Sequence, residues 1–276
     1  MAIDNPLGNK TEYKDKYDAS LLFPIARTES RDKLGLGSEL PFRGSDRWTA
    51  YEISWLDASG KPQVRIAEFT VSSDSPNIIE SKSFKLYLNS FNLTIFDDDR
   101  KVKSLLSVDL SAAAGAPVMV NLLPLQYGKN YLISEPIGTY LDDIEVCIEH
   151  YQPAPQCLEV SSQQRANEVL YSHLLKTNCP VTDQPDWATV FIEYSGAAID
   201  HASVLKYIVS FREHQDFHEN SVERLFCDVN TYCRPDHLAV YARYTRRGGL
   251  DINPLRSNYP AGKSLLEANT LRTIRQ

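Results

Sequence analysis

The 276-residue sequence predicts an α+β protein with antiparallel sheets and helices packed on one face, built from two copies of a β-β-α-α-β unit. Two observations carry this expectation. Strand-like alternation recurs beside segments whose apolar residues fall at helical spacing. The halves also resemble each other: Tyr87, Ser90 and Phe91 match Tyr207, Ser210 and Phe211 at a common offset of 120, and Asp109 matches Asp228 at 119. Matches in one sequential order argue for duplication of a single unit. The boundary is expected near Pro153-Ala154-Pro155, giving domains of residues 1–150 and 151–276.

Taken in order, residues 1–42 carry only short apolar runs and read as an irregular arm. Trp48–Leu56 and Gln63–Val71 read as strands joined by a turn at Asp57–Gly60. Ile78–Asn92 carries Phe84, Tyr87, Leu88 and Phe91 at i, i+3, i+4 and i+7, an inward helical face with Ser81 or Ser83 as its cap. Asp97–Asp99 cap a second helix whose apolar face is Val102, Leu105, Leu106 and Leu110, and Pro117–Leu125 reads as a strand. In the second half, Ala166–Lys176 reads as helical, Trp187–Tyr194 as a strand, and Ser195-Gly196 as a turn. Asp200 caps a helix with Val204, Leu205, Ile208 and Val209 inward. A further helix shows Val222, Leu225, Phe226 and Val229, and His237–Tyr244 closes the copy as a strand. Trp48 and Trp187 are expected to open equivalent hairpins.

Composition narrows the function. With 42% apolar and 24% charged residues the chain can bury a real core, and its net charge of −7 argues against a broad basic surface for duplex nucleic acid. Small-molecule partners fit better. No apolar run approaches the ~20 residues needed to span a bilayer, and the N-terminus has no secretory pattern. Five cysteines without a C-x-x-C pair suggest reduced thiols in a cytoplasmic protein. The sequons at Asn9 and Asn92 then read as chance matches.

The residues that could carry chemistry cluster around Leu174–Trp187, LLKTNCPVTDQPDW. Pro180 and Pro185 exclude helix, so Cys179 and Asp186 are expected on a fixed loop. Lys176 and His218 are the candidates to activate a thiol there; a buried, inert cysteine is the competing reading. His218 lies four residues before Val222, which turns it inward with the apolar face, and Glu219, beside Val222 and Phe226, requires a partner. His214 and His218 at i and i+4 could also clasp zinc with Cys179, although Gln215 stands where H-E-x-x-H needs glutamate. Glu80 starts a helix, where it serves either as a cap or as an acceptor for the paired N–H donors of a guanine-type base. Arg246-Arg247-Gly248-Gly249 follows a strand and could grip a phosphate. Gly35-Leu36-Gly37 is followed by Leu40 where the third glycine of a dinucleotide-binding turn belongs, so a nucleotide would be held outside a Rossmann unit.

Together, ESKSFKLYLNSF (80–91), SHLLKTNCPVTDQPDW (172–187), SFREHQDFHE (210–219) and YARYTRRGGLDINPLRSN (241–258) resemble the NADPH-dependent 7-cyano-7-deazaguanine reductases, the nitrile reductases of queuosine biosynthesis, in their long two-module form. The resemblance implies two tandem tunnelling-fold modules, a cytoplasmic homodimer, and no metal or direct nucleic-acid contact. It implies that Cys179 adds to the nitrile as a covalent thioimide and that Asp186 donates a proton to nitrogen. His218 would lie beside the reacting carbon, and Glu80, Ser81, Lys82 and Glu219 would bind substrate. Lys82, Ser83, Arg247 and Gly248 would contact NADPH. The site is expected to draw on both modules. The competing functions are a zinc-dependent purine-nucleotide hydrolase of related fold and a non-catalytic purine-binding module.

Overall fold

The computed structural model describes residues 14–126, 132–268 and 272–276; Asn9 and the first thirteen residues of the expected arm lie outside them. In chain order the elements are β1 (Pro24–Ala26), α1 (Thr28–Lys33), β2 (Arg43–Leu56), β3 (Pro62–Ser72), β4 (Asn77–Ile79), α2 (Ser81–Asn89), α3 (Asp99–Ala114), β5 (Val118–Pro124), β6 (Thr139–Tyr140), β7 (Val160–Asn178), β8 (Pro185–Ile199), α4 (His201–Ser210), α5 (His218–Cys233), β9 (His237–Tyr244), β10 (Leu250–Ser257) and α6 (Leu265–Ala268). The chain is α+β. Its ladders β3–β5, β7–β8, β8–β9 and β9–β10 are antiparallel, and the short β6 joins β7 in parallel.

Two compact units form. The first draws on Met1–Thr28, Trp48–Gly128 and Arg247–Leu250, the second on Glu29–Arg47, Lys129–Arg246 and Asp251–Gln276. In the first, the strand order is β5-β3-β2 and α2 buries Phe84 against Trp48 and Phe69, at ring distances of 5.1 and 5.0 Å. Its helix begins later than the apolar pattern suggests. Ile78 and Ile79 pair with Ile25 and Pro24 as β4, so Glu80 rather than a serine is the N-cap, accepting from Lys82 N and Ser83 N.

In the second unit the order is β10-β9-β8-β7-β6. Val190, Ile192, Val240 and Ala242 share a core with Leu205 of α4 and Phe226 of α5. The opposite face carries α6, whose Leu266 packs with Phe191, Tyr241 and Leu255. Helices therefore lie on both faces of these strands, contrary to the single-face expectation. The cause is Glu193, which alternation points away from α4 and α5. Its buried carboxylate accepts from Ser264 Oγ, Leu265 N and Leu266 N and so holds α6 there.

The duplication extends to hydrogen bonds. Tyr87 Oη donates to Asp109 Oδ2 at 2.7 Å, and Tyr207 Oη to Asp228 Oδ2 at 2.6 Å. Phe91 and Phe211 meet those tyrosines edge-on at 5.2 and 5.3 Å. The caps repeat too: Ser83 N donates to Glu80 and Ser203 N to Asp200, each at 2.7 Å.

Three expectations in the second half change. Ala166–Lys176 is strand within β7, not helix. Val169 and Leu170 pack on opposite faces of a sheet covered on both sides, and a register shift between Ser172 and Leu175 breaks the alternation. Ser195-Gly196 is no turn; both residues pair with β7, and Gly196 is required because a Cβ there would meet Pro235 Cα at 2.9 Å. Trp187 therefore belongs to the second strand of its hairpin, whereas Trp48 lies in the first strand of the other.

Segment 29–47 is bound into the second unit by charge. Arg256, fully buried, donates to Asp46 and Glu223, and Arg31 reaches Glu223 at 2.7 Å. Burial works against the Arg256 charge, but those two carboxylates outweigh it and raise its proton affinity. Glu223→Ala, which removes one of the two carboxylates that hold the buried Arg256 guanidinium, should destabilise the protein by about 3–5 kcal/mol, read as a lowered urea midpoint.

Candidate active site

Strand alternation brings three columns to one end of the second unit. Thr177 of β7 lies opposite Asp186 of β8, and Ala188 lies opposite Tyr244 of β9. Thr177, Asp186 and Tyr244 are all buried, at the end of the helix-facing surface where α5 begins with His218 and Glu219. Asp186 thus stands on a strand, not on a loop. Only residues 179–184 form the turn, closed by Cys179 N donating to Gln184 O at 2.9 Å and Asp183 N to Cys179 O at 3.1 Å. Cys179 is half-buried there.

A main-chain clamp fixes this turn to the start of α5. Asn178 N donates to His214 O at 2.7 Å, and Asn178 O accepts from Asp216 N at 3.2 Å. Gln215 reaches across to donate to Asp183 within the turn. Asp216 then accepts from Phe217 N at 2.8 Å and Asn220 Nδ2 at 2.7 Å, ordering the entry to the helix. Lys176 is directed elsewhere: its ammonium donates to Asn178 Oδ1 and Arg212 O.

The imidazole of His218 brings Nε2 to 3.3 Å from Asp186 Oδ2 and stacks on the Tyr244 ring at 3.8 Å. Glu219 is buried beside them, and its charge, with that of Asp186, acts on the Tyr244 phenol. A protonatable carboxyl, an imidazole and a half-buried thiol on a clamped turn form an arrangement suited to nucleophilic addition with proton transfer. His214 precedes the helix and lies in extended backbone, so the i, i+4 spacing with His218 is not a helical clasp. Among the described residues no group of three or more His, Cys, Asp or Glu side chains is placed to hold a metal ion.

The remaining candidates belong to the first unit. Glu80 is buried as the cap of α2, its Oε1 and Oε2 at 3.0 and 2.7 Å from Lys82 N and Ser83 N. Ser81 opens that helix, with Lys82 half-buried beside it. Ser83 is buried with its hydroxyl engaged twice, donating to Glu80 O and accepting from Phe23 N. Gly248 and Gly249 both have positive φ; a Cβ on Gly248 would lie 3.3 Å from Lys85 Cδ. The Lys85 side chain thus lies against Gly248, while a Cβ on Gly249 would meet the Glu52 carboxylate.

Thr177, Ser221 and Tyr244 escaped the reading of the sequence. Ser221 could have been found at i+3 from His218, and Thr177 by alternation from Asp186 had β7 been recognised as a strand.

A family model described as nitrile reductase, 7-cyano-7-deazaguanine-reductase N-term, matches residues 13–122, and a model of QueF-like protein matches residues 185–263. The chain is 56% identical to the NADPH-dependent 7-cyano-7-deazaguanine reductase of Bordetella avium over 92% of this chain and 93% of that one. It is 50% identical to the same-named protein of Bordetella pertussis over all of both chains, and 52% to that of Dechloromonas aromatica over 99% of this chain and 95% of the other.

Burial lowers the proton affinity of His214, against the pull of Asp216 and with the push of Arg224. Because the folded state then holds this proton less tightly than the unfolded chain does, folding stability falls as pH drops below about 6.5. His173 shifts in the same direction, from burial and Arg275. His214→Phe, which keeps the edge contact with Phe211, should flatten part of the decline in urea midpoint between pH 7 and pH 5.5.

Proposed function

This chain belongs to the 7-cyano-7-deazaguanine reductase family, and on that premise we propose that it reduces the nitrile of 7-cyano-7-deazaguanine to the primary amine with NADPH, within tRNA queuosine biosynthesis. The observation that carries the proposal is the Asp186–His218 pair, at 3.3 Å, beside the clamped turn of Cys179.

The chemistry follows from the residue types. A nitrile carbon is a poor hydride acceptor until a soft nucleophile adds and an acid protonates nitrogen. The Cys179 sulfur forms the bond to carbon, one carbon–nitrogen π bond becomes an N–H bond with the proton of Asp186, and the thiol proton replaces the one Asp186 gave. The product is a thioimide. NADPH, when bound, supplies hydride, and two equivalents are required because nitrile and amine differ by four electrons. Loss of the carbon–sulfur bond after the first reduction returns Cys179 and leaves an imine, which must be kept from water until the second. His218 is assigned a place beside the reacting carbon, and Glu219 accepts N–H donors of the base. Glu80, Ser81 and Lys82 are assigned substrate contacts. Lys82, Arg247 and Gly248 would hold the cofactor; Ser83, with its hydroxyl engaged inside the fold, serves by setting the start of α2.

The repeated order of two strands, two helices and a strand supports reading the chain as two tunnelling-fold modules, whose strand–helix repeats fall within residues 1–150 and 151–276, although Phe42 and Leu141 pack in the core of the second. A cytoplasmic homodimer without direct nucleic-acid contact completes the proposal. Among the described residues no helix is long and apolar enough to cross a membrane.

Adding 7-cyano-7-deazaguanine should cause loss of NADPH absorbance, with two equivalents consumed per nitrile. Cys179→Ala should abolish turnover while retaining nitrile binding by calorimetry, and Asp186→Asn should lower kcat by about 10²–10⁴-fold. Retained turnover in Cys179→Ala would exclude covalent catalysis.

A further inference from the structure

We propose that Tyr244 is a positioning residue for His218, fixing the plane of the imidazole by ring stacking; the proposal rests on the functional reading above. His218 Nε2 approaches Asp186 Oδ2 at 3.3 Å but lacks hydrogen-bond geometry, and no described side chain or backbone group completes a hydrogen bond at that nitrogen. An ion-pair approach without directional bonding does not by itself fix the plane of the ring. The close contact that defines its plane is Tyr244, with centroids 3.8 Å apart and planes within 22°.

Tyr244 is itself held firmly. It is 1% exposed and lies in β9, opposite Ala188 of β8. Its carbonyl accepts from Gln276 Nε2 at 3.2 Å. Around its phenol stand the buried hydroxyls of Thr177 and Ser221, near enough to act on its ionisation, although none of the three oxygens makes a well-formed hydrogen bond among the described residues. Burial, with the charges of Asp186 and Glu219, keeps the phenol protonated. The ring is thus a rigid neutral platform made by the sheet, while His218 belongs to the helix. The contact with His218 is made by the aromatic face, not by the phenol oxygen, so the face does the positioning. Phenylalanine should therefore replace tyrosine, whereas an aliphatic side chain should not.

The test compares wild type, Tyr244→Phe, Tyr244→Leu and Tyr244→Met by two independent readouts. In wild type, the His218 ring-proton resonances, assigned by their absence in His218→Asn, should lie upfield of the other histidines through the ring current of Tyr244. They should stay there in Tyr244→Phe and move downfield in Tyr244→Leu. In nitrile-dependent NADPH oxidation, Tyr244→Leu should lose about 100-fold in kcat with KM little changed, the loss expected when a reacting group is displaced by about 1 Å. Tyr244→Phe should rescue kcat to within about threefold of wild type, a difference under 1 kcal/mol. Tyr244→Met gives the same comparison if the leucine variant does not fold. An unshifted His218 resonance in wild type would overturn the proposal, as would a phenylalanine variant as slow as the leucine one, or aliphatic variants with full kcat. Wild type that oxidises no NADPH with the nitrile would instead defeat the functional reading, leaving the resonances to decide the positioning by themselves.

Discussion

The two main-chain hydrogen bonds of Asn178 set the geometry on which the candidate active site depends. They join the last residue of one strand to the segment that leads into α5, tying together parts of the chain far apart in sequence. Closing such a loop costs conformational entropy, which the clamp and the strand pairing beside it must offset. Once it is closed, the remaining degrees of freedom are few. The turn of Cys179 is short, Asp186 is fixed by its register opposite Thr177, and His218 is the first residue of a helix whose entry Asp216 orders.

A cluster of charge holds the same helix one turn further on. Glu223 lies one turn beyond Glu219 and receives both Arg31 and Arg256, while Asp46 completes the shell of Arg256. Fully buried ions are tolerated only when every partner is present, so the network sets a strict condition on where α5 can sit. Its partners come from residues 29–47 and from β10, well separated in sequence from Asp186 and the turn of Cys179. A segment that reads as an irregular arm thereby becomes part of the support for the site.

The duplicated scaffold shows how one framework carries different chemistry. The Tyr–Asp hydrogen bond, the serine bonded back to the tyrosine carbonyl and the edge-on phenylalanine recur in both units. So does the acidic cap of the first helix, Glu80 in one and Asp200 in the other. These features hold helices together in both units. The proposed reactive set of Cys179, Asp186, His218 and Glu219 lies at the strand ends and the start of α5 in the second unit.

The sequence alone determined the α+β class, the helices from Phe84, Leu106, Val204 and Leu225, the duplication, the family and the candidate residues, because each is written in local periodicity or in contiguous motifs. Tertiary structure decided that Ala166–Lys176 is a strand, that Gly196 lies within one, and that Glu193 brings α6 to the far face. It alone gathered Thr177 and Ser221 about the phenol of Tyr244 and stacked that ring on His218. The physical reason is range. A residue buried on both faces of a sheet loses the alternation that identifies it, and a side chain whose partner lies on another strand or helix has no signal in its own neighbourhood.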